Sequence, residues 1–155
     1  MQELLHELKY NNQPEIGKIL GRVYGMDLLQ SAHAGTLNVI IPIPLHPWKR
    51  NRRGYNQSEE FAKGLAESMK IPVEPEVIKR VTNTETQTRR NRLRRWENVR
   101  DVFVVPDCRS IEGKHVLLVD DVITTGATIE ACGQVLLSAG CATVSAVSIA
   151  FSAGE

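Results

Sequence analysis

Five short runs rich in Val, Ile, Leu and Phe alternate along the chain with segments whose apolar residues recur every three or four positions. The runs are NVIIPIP (38–44), a stretch around Val77–Val81, DVFVV (101–105), HVLLVD (115–120) and TVSAVSIA (143–150). Each has the length and β-branched content of a strand, and most are apolar on both faces. Helical spacing appears first after Pro14 and Glu15, where Ile16, Ile19, Leu20, Val23 and Tyr24 are predicted to form one buried face. A shorter amphipathic piece, Leu4, Leu5 and Leu8, precedes it. A second helix is predicted over 58–69, with Ser58 as its cap, Glu59 and Glu60 in its first turn, and Phe61, Leu65 and Met69 facing inward. A third, marked by Ile129, Cys132, Val135 and Leu136, stops at Gly140. Strands alternating with helices predict one α/β domain over residues 1–155, with a largely parallel central sheet of about five strands flanked by helices. Residues 1–35 form its helical N-terminal part.

Charge changes this picture in one respect. The formal net charge is only +1, but KRNRR (49–53) and the segment from Lys79 to Arg100 gather most of the cations, with Glu85 and Glu97 as their only acids. An anionic partner is expected there. Residues 82–100 are too polar for a core element and read as a long arginine-rich loop between two strands, of the kind that is usually functional or mobile. The longest apolar run, VIIPIPL, is far too short to cross a bilayer, so no membrane insertion is expected and the chain is read as cytoplasmic. Three cysteines, Cys108, Cys132 and Cys141, form no CxxC pair. Cys132 and Cys141 bracket a helix and lie roughly 13 Å apart at its rise, so buried reduced thiols are expected.

The chemistry concentrates in VLLVDDVITTGAT (116–128). A buried strand runs into Asp120 and Asp121, and a turn of small and hydroxyl residues then opens a helix. Ligands of open α/β sheets sit at the carboxyl ends of strands. The backbone N–H groups of such a turn, with the helix N-terminus behind them, cradle a phosphate. Gly126 lets the backbone come close or take positive φ, and Thr124, Thr125 and Thr128 add hydroxyls around Ala127. Two carboxylates beside a phosphate repel it unless they face another part of the same ligand. Vicinal sugar hydroxyls would satisfy them, so the pattern asks for a ribose 5-phosphate moiety. The Walker A pattern is absent.

Residues 116–128 resemble, position for position, the ribose-phosphate signature of type I phosphoribosyltransferases. IPIPLHPWKRNRRGYNQS, KRVTNTETQT and RWENVRDVF are similar to stretches of the ComF family, a competence-associated group with that domain. The resemblance spans about residues 7–150 and extends to the transferase half of amidophosphoribosyltransferase. It implies the type I phosphoribosyltransferase fold, 5-phosphoribosyl 1-pyrophosphate (PRPP) with Mg²⁺ as the ligand, and transfer of the phosphoribosyl group to a nitrogenous acceptor that the sequence does not identify. No metal-ligand set is read in the chain itself. Full-length relatives begin with a cysteine-rich, zinc-binding segment. None is seen here, so the start reads as that of a truncated or a short member, and 1–35 could serve as the acceptor-selecting hood.

Carried over residue by residue, the resemblance implies that Asp120, Asp121, Thr124, Thr125, Gly126, Ala127 and Thr128 hold the ribose phosphate. Pro44, Arg52, Gly54, Asn56 and Gln57 fall in the pyrophosphate loop, where Lys49, Arg50 and Arg53 add charge. Residues 82–98 correspond to a closing loop. Arg53, Arg80 and Arg95 would act on departing pyrophosphate, with Gln87 as a further contact. Other readings stand beside these. Arg52 and Arg53 could be solvated surface charge, His46 a loop cap and Trp48 a packed aromatic. The same arginines, with Trp96, suit single-stranded DNA, and the family's link to competence makes DNA or competence proteins candidate partners. A non-catalytic PRPP or nucleotide sensor is also open. A homodimer is compatible with all of these, and no residue pattern decides it.

Overall fold

The computed structural model describes residues 13–46, 50–52, 54–81 and 102–151. Chain order is α1 (Pro14–Leu28), a 3₁₀ turn (Ala34–Thr36), β1 (Val39–Pro42), α2 (Gln57–Met69), β2 (Lys79–Val81), β3 (Val102–Val104), β4 (His115–Ile123), α3 (Ala127–Ser138) and β5 (Thr143–Phe151). The expected alternation is present, and the sheet β1-β4-β5 is parallel throughout.

The five strands do not share that sheet. β2 and β3 pair antiparallel with each other, Arg80 opposite Phe103, as a separate ribbon. They flank the single segment 82–101, so their geometry is that of the two legs of a hairpin. Val and Phe content marks strands but does not name their partners. On its open side β1 gains only a bridge, Ile40 to Val73.

β4 shows why the sheet is buried on both faces. Val116 and Leu118 join Val39, Ile41, Ile43, Cys132, Leu136 and the ribbon's Phe103 in one core. Leu117 and Val119 alternate to the other side, against Ile40, Phe61, Leu65 and Val147. Two thiols, Cys132 and Cys141, lie buried as expected, whereas Cys108 is exposed; all three are free.

α1 overturns its predicted face. Ile19 and Val23 are each 52% exposed, Met26 is 53% exposed, and of the five residues assigned to the buried face Leu20 packs against a core cluster and the exposed Tyr24 reaches its Phe61 ring. The buried stripe is instead Gly17, Gly21 and Gly25, which meets α2 backbone to backbone. A Cβ on Gly21 would fall 2.2 Å from the Phe61 carbonyl oxygen, and one on Gly64 would fall 2.1 Å from that of Lys18. Glu67 of α2 pairs with Lys18 and Arg22 across the seam. Gly21→Ala should therefore lower stability by ~1–3 kcal/mol or more through overpacking, despite ~1 kcal/mol of gained helix propensity. Gly35→Ala, with nothing within 4 Å of the added carbon, should stay near neutral. Urea unfolding midpoints of the two variants check this.

No helix among the described residues is long and apolar enough to cross a membrane.

Candidate functional site

The carboxyl ends of β1 and β4 lie side by side, Pro42 in register with Val119, and the candidate residues gather around them. β4 runs three residues beyond its expected end, so Asp120 and Asp121 stand on the strand itself and Asp120 is in register with Ser148 of β5. The two carboxyl groups stay close enough for each to feel the other. Each carboxylate is fixed by the next amide: Asp121 N–H donates to Asp120 Oδ1 at 2.8 Å, and Val122 N–H to Asp121 Oδ1 at 2.8 Å.

Beyond β4 the chain turns through Thr124 and Thr125 to Gly126, which caps α3 with φ 80°. A Cβ there would meet nothing within 4 Å, so glycine is required by conformation and not by space. Glycine offers the helix no side-chain cap. The first-turn N–H groups of α3 are thus left for a ligand, apart from Ala127 N–H, which has a long 3.4 Å contact to Thr125 Oγ1. A concavity of ≈ 200 Å³ is lined here by Asp120 and by residues 122–129. It brings together Asp120, Thr124, Thr125, Gly126, Ala127 and Thr128. Asp121 sits beside this lining and is not part of it.

The second half of the candidate site follows β1. Pro44 is half-buried, and Arg50, Arg52 and Gly54 are exposed. Gly54 N–H donates to the Arg50 carbonyl at 2.8 Å and Arg50 N–H to that of His46 at 3.0 Å. Asn56 and Gln57 are not surface groups: they are 7% and 1% exposed. Asn56, not Ser58, caps α2, accepting from Ser58 N–H at 3.2 Å. Ser58 is the residue that sequence reasoning missed. It reads as an ordinary cap, yet it is buried and close enough to the Asp120 carboxylate to favour its ionised form.

Asp120 consequently holds its proton far more tightly than a free carboxyl. Burial, then the neighbouring charge of Asp121, pushes it from 3.8 up to about 6, against the opposing hydrogen bond from Asp121 N–H and the opposing effect of Ser58. Beneath it, burial first and the Asp120 charge second push the Cys132 thiol up to about 12, while Arg80 pulls the other way. Arg80 is half-buried on β2, its guanidinium 5.5 Å from the centre of the Phe103 ring. It therefore lies on the same side of the sheet as Cys132 and Phe103. Arg53, Gln87 and Arg95, together with Lys49, Trp48 and the rest of the arginine-rich segment, lie outside the described residues.

Comparison with known proteins matches residues 56–154 to the model of the phosphoribosyl transferase domain. The chain belongs to the phosphoribosyl transferase domain family. Within that family, it is 31% identical over 147 residues to the DNA utilization protein YhgH of Shigella flexneri, covering 93% of this chain and 64% of that protein. It is 31% identical over 141 residues to Competence protein F of Haemophilus influenzae, covering 88% and 62%. The ComF-family resemblance is thereby borne out, and the chain spans just under two thirds of the length of these relatives. Among solved structures, the glutamine phosphoribosylpyrophosphate amidotransferase of B. subtilis matches with a TM-score of 0.60 at 22% identity, over 93% of this chain and 30% of that one. The adenine phosphoribosyltransferase of Thermoanaerobacter pseudethanolicus matches with a TM-score of 0.53 at 20% identity, over 83% and 67%. These likenesses establish the type I phosphoribosyltransferase fold.

Proposed function

We propose that this phosphoribosyl transferase domain binds Mg²⁺–PRPP and transfers its phosphoribosyl group to a nitrogen nucleophile, releasing pyrophosphate. The observation that carries the reading is Asp120: a half-buried carboxylate on the rim of a helix N-terminus with no side-chain cap. A lone anion would not choose a carboxylate as its neighbour. A ligand with hydroxyls at one end and a phosphate at the other would use both.

In this reading the 5-phosphate accepts from the N–H groups and hydroxyls of Thr124–Thr128, and the ribose hydroxyls donate to Asp120 and Asp121. Arg52, with Arg53, Arg80 and Arg95, neutralises the pyrophosphate as charge builds on it. The C1–oxygen bond breaks with its electron pair going to pyrophosphate, and a nitrogen lone pair forms the new bond at C1. The nitrogen then loses a proton to solvent. The protein's work is positioning, neutralisation and exclusion of water. Among the described residues no three His, Cys, Asp or Glu side chains cluster as a metal cage. In this reading the Mg²⁺ ion arrives with the substrate, carried on phosphate oxygens.

Calorimetric titration with Mg²⁺–PRPP tests the reading. One saturable site is expected in the wild type and none in Asp120→Asn/Asp121→Asn; a folded wild type that binds nothing sinks it. Pyrophosphate release with ammonia and other amines then separates a transferase from a sensor that binds PRPP without turnover. The names of the relatives, a DNA utilization protein and a competence protein, support a second reading in which the arginine-rich segment binds single-stranded DNA. Oligonucleotide binding that weakens steeply with salt would favour it.

A further inference from the structure

The two halves of the candidate site are tied by a chain of hydrogen bonds. It starts on β4, where the Val119 carbonyl accepts from Ile43 N–H at 2.8 Å. The Ile43 carbonyl accepts from Asn56 Nδ2 at 3.0 Å, closing a span of 13 residues. Asn56 Oδ1 accepts from Ser58 N–H at 3.2 Å. Ser58, held in this way, sits near the Asp120 carboxylate of β4, one residue from the start, and favours its ionised form. Asn56 and Ser58 are 7% and 4% exposed, so water does not compete for these bonds.

Each member has a separate use. Asn56 spends its donor on the base of the loop and its acceptor on the first turn of α2. Ser58 favours the ionised form of the acid that faces the ligand concavity. Asn56 is the only link in the chain that joins the two ends of the loop directly to each other.

We propose that Asn56 and Ser58 are positioning residues that lock the base of the 43–56 loop to the acid pair, so that a ligand reaching from the α3 N-terminus to Arg50 and Arg52 meets both halves at a fixed separation. The proposal rests on the PRPP reading above and adds its geometry. Linked half-sites gain affinity from the rigidity of the link, and a ligand that occupies only one half does not.

The experiment compares Mg²⁺–PRPP, ribose 5-phosphate and Mg²⁺–pyrophosphate on the wild type, Asn56→Ser and Ser58→Ala. Serine at 56 keeps an acceptor for the helix cap but cannot span to Ile43. Asn56→Ser should weaken Mg²⁺–PRPP by ~10-fold or more while changing each single-half ligand by less than ~2-fold. Parallel loss of ribose 5-phosphate, or unchanged PRPP affinity, overturns the coupling.

Ser58→Ala gives a readout that a merely structural role would not move. The groups facing Asp120 are Asp121 on its own strand, Ser58 from α2 and Cys132 from α3, with Arg80 of β2 close to Cys132. Removing the Ser58 hydroxyl removes a group that favours the ionised acid. The pH midpoint of ribose 5-phosphate binding should rise in Ser58→Ala, with affinities converging above pH ~8, where the acid is ionised in both. The ligand's own phosphate titrates alike in both proteins, so an unmoved midpoint overturns the role of Ser58. Amide exchange at Ile43 and Gly54 needs no ligand: it should accelerate in Asn56→Ser if the clamp holds the loop. A wild type that binds no PRPP would overturn the substrate reading alone, whereas unchanged exchange would overturn the clamp.

Discussion

Asp120→Asn is expected to make the protein more stable and to remove its affinity for PRPP. Stability and function oppose each other at this position because the carboxylate is desolvated and lies beside a second one. Its rise from 3.8 to about 6 corresponds to a stability cost on the order of 1–3 kcal/mol in the folded state at pH 7.5. The sign follows from proton counting. Between those two values the folded chain holds a proton that the unfolded chain has lost, so stability falls as pH rises from about 4 to about 6 and is level above it. Asparagine keeps an oxygen for Asp121 N–H, and its amide can donate to Asp121. The variant should therefore gain roughly 1–3 kcal/mol at pH 7.5 and nothing below pH ~4, as read from urea unfolding at the two pH values. Hydrogen bonds to a charged acceptor contribute ~1.5–3 kcal/mol each, so PRPP affinity should drop at least ~100-fold. Equal stability of variant and wild type at pH 7.5 would show that the burial of Asp120 carries no cost.

The stretch from Val116 to Thr128 was legible because its message is local. A strand, two acids and a glycine turn follow each other within one covalent segment, and α/β topology places such a segment at a carboxyl edge whatever the rest of the chain does. The strand end moved by three residues because pairing with β5 continues through Val122 and Ile123, opposite Ala150 and Phe151. Ser58 was legible as the start of a helix and Asn56 and Gln57 as loop residues before it, but the three were not legible as a buried row. A polar residue at a helix start satisfies the local backbone in either case, and only the approach of β4 from 62 residues away makes Ser58 a neighbour of Asp120.

The glycines of α1 were missed for a different reason. Periodicity counts large apolar side chains, and those of α1 do recur at helical spacing. Glycine contributes no apolar area, yet Gly17, Gly21 and Gly25, each four residues on, let α2 approach closely, most tightly at Gly21, where a Cβ would meet the Phe61 carbonyl. That regular spacing was the available signal. The pairing of β2 with β3 is a further case. Their sequences predict extended backbone, but the choice between ribbon and sheet is made by tertiary contact.

The affinity for PRPP should climb as pH rises through about 6 and then level off. Ribose hydroxyls donate to the ionised form of Asp120, so a protonated acid must lose its proton before it can bind. With Asp120 titrating at about 6 in the free protein, affinity should fall toward tenfold per unit below that value and be ~10-fold weaker at pH 5 than at pH 7.5. The phosphate of the ligand also ionises near pH ~6 and pushes affinity in the same direction, so a binding curve alone does not assign the proton. Carbon-13 labelling of the aspartate carboxyls does, with Asp120→Asn identifying the resonance. In the free protein that signal should titrate near 6. Saturation with PRPP should move its midpoint down by a unit or more, because each donated hydroxyl favours the charged form. The same shift requires proton release on binding near pH 6, visible as a binding heat that depends on the ionisation enthalpy of the buffer. A free-protein midpoint near the ordinary 3.8, or one that PRPP leaves in place, would mean that Asp120 neither stores the proton nor meets the ribose. The acid beside the cradle would then need another explanation, and Asp121, which stands outside the concavity lining, would be the carboxylate left to test.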